Sequence, residues 1–457
     1  MKKQISGLLK PLVSVAVVAL TLTSLIGCLE EETRVESVST YDVEAIVKDS
    51  NSTPEQKSEK LALVAEKLST PSGFMYADEV LDLSLSFDKT NLRAQLYKKM
   101  NAPVIALKGS MKRLQPVAGK FSASVRRAYG DEQKTMALNP SIESFFNNGK
   151  ADIQTEGQAQ SLVDQVLAAQ NDLRVFFKTH KDMTLELHSA VAAGELTDIW
   201  YRCPVQGLES TGTYHKKYTV KNCRYVHQTE YTIDGGDIEA LQHIAAGMEI
   251  LSIVSTSYDA TGGAVFESTM STKSLSVKQR IDLLQSLKQF GQVRNAAAFK
   301  MIRALGTDIY SGARWAQKYQ NQLCPQGWEH EQRPGMLFDK GICVQDYPGE
   351  KSGSTDTAFR VVATALAGQN LAVFTRDGSI DVTDMADSSD GALYTTQANL
   401  LAPIMNPIAD LKQILPTKFD KCGQTINLGD KSVAGLFPAQ DGEEVAKSIG
   451  LISEECK

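Results

Sequence analysis

None of the compact motifs that announce catalysis occurs in this 457-residue chain. It has no Gly-x-Ser-x-Gly elbow, no P-loop, no dinucleotide fingerprint and no His-Glu-x-x-His pair. Histidine is scarce, with six in all: His180, His188, His215, His227, His243 and His330. His330-Glu331 lacks the second histidine three residues on, so single histidines that are solvated or packed are expected rather than a metal centre. No two cysteines stand two to four residues apart, which excludes a zinc knuckle. Basic residues (48) are outnumbered by acidic ones (54) and form no run, which argues against electrostatic binding to nucleic acid. Beyond the first 28 residues no apolar stretch reaches the length of a membrane-spanning helix. No catalytic residue, metal ligand or cofactor is therefore assigned from motifs.

The N-terminus carries the strongest pattern that is present. Lys2, Lys3 and Lys10 form a basic region, Leu12 to Ile26 an apolar run, and Leu25-Ile26-Gly27-Cys28 closes it. The closing four residues resemble a bacterial lipobox. That resemblance implies cleavage before Cys28, a diacylglyceryl thioether on its sulfur and a lipid-anchored protein. Leu29, rather than Asp, follows the cysteine, which by the same resemblance implies the periplasmic face of the outer membrane in a Gram-negative host. Two or more acyl chains make such an anchor stable where one would not. Without residues 1–27 the chain carries 45 basic against 54 acidic residues, a net charge near −9.

Six cysteines remain: Cys203, Cys223, Cys324, Cys343, Cys422 and Cys456. An even number in an exported chain reads as disulfides, because that compartment is oxidising. Six cysteines allow fifteen pairings. Pairing in sequence order closes three compact loops, each adding about 3–4 kcal/mol in the chain-entropy model.

Apolar periodicity predicts a mostly α fold of helical hairpins with a small disulfide-stapled β-insert. The expected divisions are a signal peptide at 1–27, the lipidated cysteine and a polar tether at 28–56, and a helical region at 57–198. A β-insert at 199–236 and a C-terminal helical region with disulfide loops at 237–457 complete the chain. Leu61, Val64, Ala65 and Leu68, then Ala77, Leu81 and Ser84, stand at helical spacing on either side of Pro71-Ser72-Gly73. Over residues 58–91 this resembles one tetratricopeptide repeat, which implies two helices packed through small residues. Lys89 departs from the family's usual proline, and the pattern fades soon after Leu92.

Leu162, Val166, Ala169, Leu173 and Phe176 mark a further amphipathic helix. Residues 199–203, 213–220 and 224–233, rich in Tyr, Thr and Val, read as strands. Asp234-Gly235-Gly236-Asp237 ends them and opens a helix bearing Leu241, Ile244, Ala245, Met248 and Leu251. Ser276-x-x-Gln279 is a capping box for a helix that Gly291 is expected to end. Phe299, Ile302, Ile309 and Ala316 mark another, with a break foreseen at Gly306. Residues 324–343 read as a stapled loop without regular structure, carrying Trp328. A short helix follows at Phe359 to Leu366, and another is expected to start at Asn406-Pro407.

Asp377, Gly378, Ile380, Asp381 and Asp384 resemble the second half of an EF-hand loop, but Val373 and Thr375 fall where oxygen ligands belong. A turn with helix-capping aspartates is the better expectation. Tyr214, Tyr218, Tyr225 and Tyr231 suit either cross-strand packing or a binding groove. These features point to an envelope-anchored interaction or scaffold module with a membrane anchor and a protein partner. An envelope hydrolase or glycan-modifying enzyme, and an accessory lipoprotein of an outer-membrane transport system, are the alternatives.

Overall fold

The computed structural model describes residues 40–69, 73–136, 140–187, 200–202, 224–226, 231–233, 235–323, 328–331, 342–345, 362–376, 379–383, 394–420, 425–438, 441–448 and 452. Over these the protein is mostly α, as the apolar periodicity requires. The helices that build its N-terminal part are α1 (Thr40–Lys48), α2 (Pro54–Leu68), α3 (Phe74–Phe87), α4 (Leu92–Ala106), α5 (Ser110–Ala118), α6 (Ala123–Met136), α7 (Pro140–Asn147) and α8 (Glu156–Thr179). None of the helices searched is long and apolar enough to cross a membrane.

The hairpin foreseen at 58–91 forms from α2 and α3, and its small residues explain the fit. Leu61, Ala65, Ala77, Leu81 and Ser84 are fully buried, Leu68 nearly so, and Val64 is half-buried against them. Ser84 Oγ donates to the Ser58 carbonyl at 2.7 Å, which holds the two helices at close range. Helix α2 starts earlier than periodicity alone suggests. Thr53 and Gln56 form a capping box, and Pro54 takes the first-turn place where its missing N–H costs nothing. The polar segment expected as a tether to 56 is helical from Thr40, and Val43 of α1 is buried on the α2–α3 cluster. The larger apolar residues of α1, Tyr41, Val43, Ile46 and Val47, span too short a run to show a helical period.

Asn91 caps α4 by accepting from the Ala94 N–H at 2.9 Å. Leu96 of α4 then packs with Phe176 and Phe177 of α8. Behind them Phe74, Phe145 and Phe146 stack edge to face, at centroid distances of 5.6 and 5.0 Å, with Leu107, Met111 and Val166 around them.

Strands β1 (Leu185–Leu187), β2 (Trp200–Arg202), β3 (Arg224–Val226) and β4 (Tyr231–Ile233) follow α8. They pair antiparallel as β1 with β4 and β2 with β3. The β character of the insert is thus present, and it begins at Leu185 rather than 199. Residues 203–223, including the strand expected at 213–220, lie outside the described residues. Helix α9 (Gly235–Thr256) opens where Asp234-Gly235 was expected to open it, and packs between α8 and α12 (Ala296–Leu323). Between them stand α10 (Gly263–Thr272) and α11 (Val277–Ser286), the latter under the foreseen Ser276–Gln279 capping box.

Three local expectations are corrected. Helix α11 ends at Ser286, and Gly291 instead occupies a left-handed turn at φ 80° in the loop beyond. Helix α12 runs through Gly306 unbroken; a side chain there would strike Leu366 Cδ2 at 2.9 Å, so glycine permits close packing of the helical turn at 362–366. Asn406 ends helix α13 (Ala402–Met405) as its C-cap rather than starting a helix, and Pro407 cannot continue it.

The stretch 324–343 also differs from a structureless loop. Its flanks form β5 (Trp328–Glu331) and β6 (Ile342–Gln345), an antiparallel pair with His330 opposite Cys343. Further on, β7 (Leu371–Arg376), β8 (Ser379–Thr383) and β9 (Tyr394–Ala398) make a three-stranded antiparallel sheet in the order β8-β7-β9. Helix α14 (Asp441–Ser448) sets Val445 against Ala398 and Phe437 beside it.

Candidate functional site

The chemistry-bearing side chains gather where helices cross, in two buried centres. The first joins α2 to α4. Arg93 donates to Glu66 through Nη1 and to Glu59 through Nε, both at 2.7 Å. Asn91 adds a bond to Glu59 at 3.0 Å, and Asn101 donates to Ser69 Oγ at 2.9 Å. Burial works against the charge on Arg93, yet the two glutamates hold its pKa above the ordinary value. Burial first, and the Glu66 carboxylate second, push the Tyr97 phenol well above the usual range. It stays protonated and serves as a donor.

The second centre joins α8, α9 and α12. Arg174 Nε donates to Glu249 at 2.5 Å, and its Nη1 lies 3.8 Å from Asp308. Asn171 donates to the other Glu249 oxygen at 3.2 Å, and Ser252 donates to Gln170 at 2.8 Å. Farther along α8, Gln160 donates to the Tyr258 carbonyl at 2.7 Å and accepts from the Ala260 N–H. Glu156 accepts from the Ala264 N–H at 3.0 Å, capping α10 from a distance.

Glu66 and Glu249 lack solvent access, whereas Glu59 is half-exposed, and all three carboxylates are already occupied by donors. What they do chemically is fix helix register, since sliding one turn would strand a buried charge. Sequence reading missed them because polar residues at i, i+3 or i+4 on an apolar face read as interruptions, although Gln170 and Arg174 keep the spacing of their apolar neighbours.

The candidates named from the sequence are not brought together. His180 caps α8, its Nδ1 2.9 Å from the Phe176 carbonyl oxygen and its ring on Phe176. His243 bonds Glu239 one turn away on α9. His330 lies on β5, and His188, His215 and His227 lie outside the described residues. No group of three or more potential ligands is positioned to hold a metal among the described residues.

Residues 379–383 form a strand where the EF-hand likeness and the capping turn were expected, and Asp377, Gly378 and Asp384 lie outside the described residues. β7 and β8 keep antiparallel register from Ala372 opposite Thr383 to Arg376 opposite Ser379. Val373, Thr375 and Asp381 stand in the ladder, where a calcium loop cannot form. Tyr225 faces Tyr201 in register across β2–β3, and Tyr231 faces Leu187 across β1–β4, while Tyr214 and Tyr218 lie outside the described residues. Trp328 belongs to a strand, not a free loop. Cys28, Cys203, Cys223, Cys324, Cys422 and Cys456 lie outside the described residues, and the lipidation and disulfide expectations lie there with them.

Apolar side chains are exposed at several points, Val175 and Val265 among them, and two stand one turn apart on α9. Helix α9 is apolar on nearly every side, a composition expected of a fully covered helix. Yet Leu251 and Val254, one turn apart, are 48% and 47% exposed. Compared with known proteins, the chain matches no family model, no curated protein and no solved structure.

Proposed function

We propose that this protein is an envelope-anchored lipoprotein that works as a protein-interaction or scaffold module. The observation that carries the reading is the disposition of its charges. The buried ionisable groups described above join helices to one another, while α9 turns Leu251 and Val254 outward. We take these two neighbouring apolar side chains as the centre of a contact surface. Helices α2, α3, α4, α8, α9 and α12, each packed on the next, supply the rigidity, in the manner of arrays built from repeat-like hairpins. Cys28 would tie this array to a lipid surface and the six later cysteines would staple its loops.

The test is site-specific photo-crosslinking in intact cells from position 251 and, as a control, from exposed Lys278 of α11. We expect a discrete heterologous adduct from 251 and none from 278. Leu251→Lys together with Val254→Lys should remove partner binding while shifting the melting curve little, since both side chains are already half in water. No adduct from 251, or one equal to that from 278, would leave the interaction reading without support.

A further inference from the structure

The loop after α11 holds a cation-shaped arrangement that no helix packing requires. The carbonyl oxygens of Leu287, Lys288 and Phe290 lie 3.2, 3.3 and 2.5 Å from one nitrogen, the ammonium of Lys412. Asp410 Oδ2 makes the fourth oxygen, at 3.1 Å. These carbonyls stand just past the end of α11, where helix carbonyls lack intrahelical donors and the helix dipole is negative. The Lys412 side chain is 15% exposed, so its charge is drawn inward although solvent is within reach.

Lys412 arrives on a strap. Val293 N–H donates to the Ala409 carbonyl at 2.9 Å and Leu411 N–H to the Gly291 carbonyl at 2.8 Å. Gly291, at φ 80°, leaves room for Leu411, whose Cβ would stand 3.2 Å from any side chain there. The same loop is bonded on its other side to the turn after α9, through Asp259 N–H to the Gln292 carbonyl at 2.7 Å and Gly291 N–H to the Asp259 carbonyl at 2.8 Å. The ammonium therefore sits where the C-terminal segment meets the helical array.

We propose that this four-oxygen cage is a monovalent-cation site that the chain fills with its own Lys412, locking residues 409–414 across the loop at 287–293. Rings of backbone carbonyls replace the hydration shell of potassium elsewhere in proteins, and an ammonium of similar size suits the same oxygens. Emptied of its lysine, the cage should accept free potassium or ammonium.

Lys412→Ala removes the charge and the long side chain together, leaving the four oxygens open to a free ion. In the full chain in detergent its melting temperature should fall by about 3–6 °C. Potassium or ammonium chloride should restore at least half of that loss, and tetramethylammonium chloride at equal ionic strength should not. Wild type should not distinguish the three salts. Equal melting of variant and wild type, or equal recovery in all salts, would overturn the proposal. If Lys412→Ala does not fold, Lys412→Arg spreads the charge over a planar fork that cannot meet all four oxygens. Its amides at 411–414 should then exchange about tenfold faster than in wild type. Unchanged exchange in Lys412→Arg would likewise overturn it.

Discussion

Leu81→Asp should abolish the cooperative melting of the N-terminal helices. Leu81 has no exposed surface and sits among Leu61, Ala65, Ala77 and Val80, none of which has a side-chain donor to meet a carboxylate. An aspartate there either stays charged without a partner or takes up a proton at the expense of folding, and it also leaves the volume of leucine unfilled. The cost is about 4 kcal/mol or more, a large part of the stability of an ordinary domain. Circular dichroism against temperature reads it. A melting curve like that of wild type would place Leu81 at the surface and dismantle the α2–α3 hairpin as described.

The second large effect belongs to Glu249. Its carboxylate is fully buried between Arg174 and Asn171, and Asp308, at 3.8 Å, is too far to replace it. Glu249→Ala strands a guanidinium at the α8–α9 crossing and should cost about 3–5 kcal/mol in urea denaturation. Replacing both partners, Arg174→Met with Glu249→Leu, removes the stranded charge and should return to within about 1 kcal/mol of wild type. That asymmetry separates a register-fixing pair from a stabilising one. A double variant as unstable as the single one would mean that the pair itself drives the packing. By contrast the exposed Lys48–Glu44 pair should be silent on removal, since water already screens it.

How much of this was legible in the sequence depended on the kind of signal. Regular apolar spacing located α2, α3, α8, α9 and α12, because burial on one face of a helix writes a period of 3.6 into the chain. Ser276-x-x-Gln279 marked the start of α11, and the same signature in Thr53-x-x-Gln56 and Thr155-x-x-Gln158 marks α2 and α8 as plainly. In those two the polar box residues lie outside the apolar stripe, so apolar spacing alone does not reveal them. The break foreseen at Gly306 failed for a physical reason. Glycine weakens a helix only by about 1 kcal/mol, and contact with Leu366 outweighs that. The aspartates at 377–384 suggest oxygen ligands, but the alternating residues on either side carry the stronger signal, and they form β7 and β8. The buried centres were illegible, since partners such as Arg174 and Glu249 stand 75 residues apart and only the fold brings them together.

The proposed lipid anchor lies in the first 28 residues, at Cys28. Cells fed a clickable fatty acid should label the wild-type protein, whereas Cys28→Ser should accumulate as an unlabelled, uncleaved precursor. Equal labelling of both forms, or none of either, would contradict a lipid-anchored module at the envelope.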